Sequence, residues 1–299
     1  MTAVPALLRR WPVALCTALA MAIAMAWGSA VHAEDVVEDA VLQGDVAEPW
    51  YTIEERLAQY GPSARARMRD HFDAASVAYP PGAVVLVALK AERRVELYAG
   101  DTPESLAHIR DYPVYGASGG AGPKLRAGDR QVPEGLYRIE GLNPNSHYHL
   151  SLRVNYPNAF DRSMAAREGR TGLGGDIYIH GGMESVGCLA MGDRNSEDLF
   201  VLAADVGEDN IRAVFSPLDF RVSATAPEGK GAPRWAGTLY QDIWRALDVL
   251  PRPGVAEGQQ VLRFFPQVSV ADALGFEQQR QAVSASGHGT GAGPAYSTE

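Results

Sequence analysis

Between Ala83 and Phe215 the apolar and β-branched residues recur with a period near two, in short runs broken by Gly, Pro and charged turns, and this limits the fold more than any other feature. "AVVLVALK" and "RRVELYAG" flank a charged turn at Lys90 to Arg93, which predicts a hairpin. Strand patterns continue through "IRDYPVYGAS", "GLYRIE", "HYHLSLRVNY", "DIYIH" and "NIRAVFSPLDF", where Ile211, Ala213 and Phe215 share one side. No repeat of 20 to 50 residues is visible. The expectation is a mainly β (α+β) body, sandwich-like, with helical flanks at both ends.

Upstream, "TIEERLAQYGPSARARMRDHFDAAS" places Ile53, Leu57 and Tyr60 on one helical face and Met68, Phe72 and Ala75 on another, so two short helices are expected around the Gly61-Pro62 break. In "NSEDLFVLAADVG" the stripe Leu199, Leu202, Ala203 and Val206 predicts a helix capped by Asn195 or Ser196 and ended by Gly207. Leu239, Ile243, Leu247 and Leu250 predict another, and "VLRFFPQVSV" reads as a strand. The closing "QAVSASGHGTGAGPAYSTE" holds too little apolar surface to offset the entropy of ordering, and is expected to be disordered.

Arg9 and Arg10 precede an apolar run from Trp11 to Trp27, then small residues ending at Val31-His32-Ala33, the three zones of a secretory leader. A helix of that length spans roughly 25 Å against a hydrocarbon core of about 30 Å, so an uncleaved inner-membrane anchor is the alternative to cleavage before Glu34. Export to the periplasm leaves Cys188 as the one thiol of the mature chain, because Cys16 departs with the leader. With 46% apolar and 21% charged residues the body is globular, and a formal charge of −9 without a basic run argues against nucleic acid.

Cys188 lies in "IYIHGGMESVGCLAMGD". Alternation along "DIYIH" sends Ile177 and Ile179 to the core and turns Tyr178 and His180 the other way. Gly181 and Gly182 let the chain fold back, so that Cys188 returns to His180. Gly187 leaves room for a carbonyl, and the amides around it can face an oxygen gaining charge. Only about 3% of an ordinary thiol is ionised at neutral pH, so a cysteine acyl transferase needs such an imidazole.

These residues, with the upstream "GPKLRAGDRQVPEGLYRIEGLNPNSHYHLSLRVNYPNAFDR", resemble the L,D-transpeptidase catalytic domain family, YkuD, and within it the YafK-type branch, over roughly residues 80 to 220. The resemblance implies Cys188 as nucleophile, His180 as general base and acid, the Gly181 carbonyl as orienter of the ring, and Gly187 as an oxyanion donor. It implies a thioester at Cys188 with peptidoglycan stem peptides, resolved by an amine in cross-linking or by water in an amidase that cuts a stem or a peptidoglycan-to-protein bond. A wall-linked lipoprotein and carbapenem-type inhibitors follow as partners, and no cofactor. Val186 stands where many members carry a second histidine.

The corresponding division is a signal peptide at 1–33, linker and N-terminal helices at 34–79, the YkuD-like catalytic domain at 80–222, an extension at 223–275 and the tail at 276–299. Ser185, Lys124, Arg126, Tyr148 and His149 are candidate substrate contacts. For Ser185 the competing reading is a turn-stabilising hydroxyl, and for Lys124 and Arg126 solvated loop cations. His147 and His149 with His180 and Cys188 form a lesser zinc candidate. A silent wall-binding protein is the alternative outside enzymes.

Overall fold

The computed structural model describes residues 50–223, 225, 227, 232–252 and 267–276. The expected leader, the linker to residue 49, most of the strand expected at 261–270 and the tail beyond 276 lie outside the described residues. In chain order the elements are α1 (Ile53–Ala74), β1 (Ala83–Leu89), β2 (Arg94–Gly100), β3 (Ala107–Pro113), β4 (Gly116–Ala117), β5 (Gly135–Ser146), β6 (His149–Val154), α2 (Ala159–Arg167), β7 (Ile177–His180), β8 (Leu189–Ala190), α3 (Asp193–Val206), β9 (Ile211–Ser216), α4 (Ala236–Asp248) and α5 (Val270–Leu274).

The strands form one mixed sheet in the order β3-β2-β1-β9-β5-β6-β7-β8-β4. The fold is α+β. The expected hairpin is β1–β2, antiparallel from Ala83↔Gly100 to Leu89↔Arg94. β9 enters parallel to β1 and antiparallel to β5, so a late segment forms the middle of the sheet.

Every residue of β1 is buried, because both faces are covered. Val84, Leu86 and Ala88 join Met68 of α1 and Leu199 and Leu202 of α3 in one core. Val85, Val87 and Leu89 join Leu239, Ile243 and Leu247 of α4 in a second. α4 packs on β5 and β9, whereas α3 reaches across to β6 and β7. Leu150, Leu152, Val154, Ile177, Ile179 and Leu189 therefore all point to the α3 side.

Three expectations require correction. The two N-terminal helices are one, α1, running through Pro62. Proline cannot bond the carbonyl four residues back, yet Ala58 and Pro62 are both exposed, so that carbonyl lies on the solvent side of the helix and is not stranded in the core. Its capping box, Thr52 with Glu55, and the pairing of Arg65 with Asp205 (2.6 Å) and Arg67 with Asp198 (2.7 Å) hold the helix on α3. The cap of α3 is Gly192 (φ 73°), not Asn195 or Ser196, whose side chains bond back to Met191 and Asp193 carbonyls within the first turn. Val270, in the expected strand, instead opens the helix α5, whose Ser269 cap accepts the Asp272 amide. α2 has no counterpart among the expected elements; Asn158 and Asp161 cap it reciprocally, and only Asp161, Met164 and Ala165 are buried.

Candidate active site

β7 and β8 run parallel with Ile179 opposite Leu189 and His180 opposite Ala190. One residue back, that register sets Cys188 beside Tyr178, and the Tyr178 amide donates to the Cys188 sulfur at 3.4 Å. Since Ile179 and Leu189 face the core, His180 and Cys188 project from the opposite face, two positions apart on neighbouring strands. Strand rise and spacing place their α-carbons about 8 Å apart, within reach of an imidazole and a thiol turned toward each other.

A carbonyl oxygen only accepts, so the 2.6 Å contact between His180 Nδ1 and the Gly181 oxygen puts the hydrogen on Nδ1 and leaves Nε2 with its lone pair free. Tyr148, half exposed, lies over the ring at 4.6 Å between centroids and 32° between planes. Gly181 admits no side chain, because a Cβ would come within 2.7 Å of Asp193 Oδ1 and of the Tyr148 carbonyl oxygen. Asp193 in turn accepts the Gly182 amide at 2.7 Å, tying the loop to the start of α3.

The turn before the thiol is held by Ser185. Its hydroxyl donates to the Cys188 carbonyl at 2.6 Å and accepts the Ser118 amide at 3.2 Å, and the Gly187 amide at a long 3.4 Å. Gly187 is buried with φ +118°, a conformation closed to side chains. The ordinary thiol balance shifts toward the neutral form. Burial raises the Cys188 pKa, opposed by the Tyr178 amide; the Asp176 carboxylate raises it further and the Lys124 ammonium lowers it. Burial likewise lowers the His180 pKa, partly offset by the Gly181 carbonyl. At rest the pair is thiol and imidazole, with the S–H directed at the Asp176 carbonyl oxygen 3.6 Å away.

The remaining candidates spread around this centre. Lys124 is buried, its ammonium bonded to Asp129 at 2.6 Å and to the Arg126 carbonyl at 3.0 Å, so it is committed to its own loop. Arg126 is exposed, with its amide bonded to Asp129. His149 turns away from the thiol, its Nε2 at 3.1 Å from Glu197 and its ring edge-on to Tyr60. His147 is exposed. The lesser zinc candidate is not assembled: among the described residues no three His, Cys, Asp or Glu side chains group as metal ligands.

Sequence reasoning overlooked three neighbours. Arg153 pairs across from Tyr178, and Ser151 across from His180, on the same face as the thiol. The Ser151 hydroxyl, 1% exposed, has no hydrogen-bond partner among the described residues. Asp176, at φ 54°, turns its carbonyl to the sulfur. The period of two in "HLSLRV" already sets Ser151 and Arg153 opposite the core residues, but which strand they adjoin is a matter of register.

A fixed imidazole tautomer and a half-buried thiol on one face of the sheet, with a glycine-conformation turn before the thiol, are compatible with acyl-transfer chemistry. Residues 82–212 match the family model of the L,D-transpeptidase catalytic domain, YkuD. YafK of Escherichia coli strain K12, named as a candidate L,D-transpeptidase, is 29% identical over 194 residues, covering 63% of this chain and 71% of its own length. Among solved structures, a variant of the helical cell shape determining protein Pgp2 from Campylobacter jejuni overlaps at TM-score 0.35 and 21% identity, over 47% of this chain and 49% of that one. Bd1075 of Bdellovibrio bacteriovorus overlaps at 0.34 and 16%, over 70% and 73%. The family match supports a transpeptidase function related to peptidoglycan.

Proposed function

We propose that the chain is an exported cysteine L,D-transpeptidase of the periplasm that acts on peptidoglycan stem peptides through a Cys188 thioester. The observation that carries the reading is the common face of His180 and Cys188, with Nε2 of His180 left free by the Gly181 contact. Because the resting pair is neutral, the proton moves only as the bond forms. Cys188 attacks the carbonyl at the L-centre of the third stem residue while His180 Nε2 takes the thiol proton. The oxygen of the tetrahedral adduct gathers charge at the Gly187 and Cys188 amides, and one such donor is worth about 3 kcal/mol. Collapse breaks the C–N bond, His180 returns the proton to the departing D-alanine, and the thioester remains. An acceptor amine then attacks, His180 takes its proton, and the thiol is regenerated with a new amide.

Water is the second acceptor of the same thioester. Incubation with disaccharide-tetrapeptide separates the two: cross-linked dimers follow from transfer, tripeptide without dimers from hydrolysis. A wild-type chain that forms no covalent adduct at Cys188 with either a stem peptide or a carbapenem, under reducing conditions, overturns the proposal.

A further inference from the structure

We infer that Arg138, Arg212 and Asn155 form an anion site in the cavity bounded by β5, β9, α2, α4 and α5, and that the site takes a phosphate monoester. It does not depend on the transpeptidase reading. β6 and β7 lie between β5 and β8, so strand spacing alone puts Arg138 roughly 15 Å or more from the thiol turn. Arg138 stands directly opposite Arg212 in the antiparallel ladder of β5 and β9, and both line the cavity with Asn155. Like charges in that position repel each other.

Arg212 is 5% exposed. Its guanidinium donates to the carbonyls of Asp209 at 2.8 Å, Ile211 at 3.1 Å and Gly275 at 3.5 Å, and lies 4.3 Å from the centre of the Phe276 ring. Those contacts hold the group without neutralising it. Among the described residues no carboxylate stands within ion-pair distance of either arginine. Burial, and after it Arg138, push the Arg212 pKa down to about 10, with Asp209 offsetting part of the shift. Arg221, its side chain 3% exposed, shows the contrast, because it closes on Glu96 at 2.8 Å and Asp219 at 2.7 Å. Two other acids on the cavity wall are engaged elsewhere, Asp242 with Arg245 at 2.8 Å and Asp272 with the Ser269 hydroxyl at 2.8 Å.

The charge count selects the ligand. A carboxylate would neutralise one guanidinium and leave the other, whereas a phosphate monoester carries about −1.5 to −2 near neutral pH and meets both. Its three free oxygens accept from two planar forks and from an amide. Asn155 supplies that amide: its Oδ1 accepts the Arg138 backbone N–H at 2.8 Å, which leaves Nδ2 to donate. The cavity holds about 950 Å³, far more than inorganic phosphate fills, and Leu136, Phe160 and Leu274 give it apolar wall. The phosphate is therefore the end of an organic body.

Titration calorimetry and thermal melts of the full chain test the site, with glucose 6-phosphate and the soluble lipid dihexanoyl phosphatidate as probes, against chloride at equal ionic strength. One of the two esters should bind and raise Tm, and which one binds more tightly names the body as sugar or lipid. Arg138→Gln, a change at an exposed side chain, should raise the Kd of that ester by about 10- to 100-fold. Asn155→Asp supplies the missing carboxylate to the same two guanidinia. It should abolish binding and raise the Tm of the unliganded chain by about 1 to 3 °C. Failure of both esters to bind wild type, or a Kd unchanged in Arg138→Gln and Asn155→Asp, overturns the inference. Neither readout involves Cys188, so a failed acylation assay leaves this result standing.

Discussion

Over β1 and β9 the sheet is walled on both faces, whereas over β6, β7 and β8 the face that α4 would continue along carries no helix among the described residues. The strands on either side obey the same alternation. In β1 the residues off the α3 side, Val85 and Val87, are fully buried under α4. In β6 the corresponding residues are Ser151, which is buried, and Arg153, which is exposed, and in β7 they are Tyr178, partly buried, and His180, buried beneath the Tyr148 ring. One pattern of period two thus produces a second apolar core where a helix lies over it and a row of polar and ionisable side chains where it does not.

Cys188→Ala should produce the largest contrast between the halves. Acylation by stem peptide or carbapenem falls by about 10⁴-fold or more, with Tm nearly unchanged, because the half-buried thiol supports little packing. A comparable adduct rate in the variant breaks the comparison at its centre. His180→Gln comes next, with a loss of about 10²- to 10⁴-fold in kcat/KM, read in the same assay.

Leu247→Ala tests the covered half. Leu247 is fully buried under the sheet, so truncation should cost about 2 to 5 kcal/mol, read from denaturant midpoints. Alkylation of Cys188 per folded molecule should not change; a slowed rate would mean that the halves are coupled. The pH profile of that alkylation sharpens the electrostatic reading. Burial lifts the thiol and lowers the imidazole, so iodoacetamide reactivity should climb through the alkaline range, with a midpoint above the ordinary thiol value. A reactive plateau between about pH 5 and 7 would instead reveal a thiolate–imidazolium pair.

The smallest expected effect lies at Asp161, which burial lifts to about 6 in the folded chain, against the amides and hydroxyl that bond it. A carboxyl that holds its proton more tightly when folded contributes stability present at low pH. That contribution is lost as pH rises from the unfolded value near 4 through about 6. Asp161→Asn should flatten stability over that window, as thermal melts at several pH values would show.

What the sequence disclosed follows the same division between local and distant. His180 and Cys188 are eight residues apart, and strand alternation with two glycines already turned both to one side. The hairpin, β9, α4 and the end of α3 at Gly207 were legible because each is written within one run. α1 was misread as two helices since Pro62 is a breaker only where the freed carbonyl is buried, and exposure is a tertiary fact. α2 escaped because its stripe is short and its cap is the stronger signal. Lys124 looked like a free loop cation, and its commitment to Asp129 needed the fold of the 124–131 loop. Arg153 could not be placed at all, because β6 and β7 are joined through 22 intervening residues and their register is set by the shared core of Leu152 and Ile179.

The insertion of β9 between β1 and β5 bears on how the molecule is assembled. By the time a ribosome has finished residue 190 both His180 and Cys188 are made, yet the strand that joins the hairpin half to the half that carries them is still missing. Closure waits for residues 211–216 to thread between partners more than 60 residues upstream, a high-contact-order step of the kind that makes folding slow. The two halves of the sheet are therefore joined only when it is complete, and a truncation before β9 should leave them undocked within one chain.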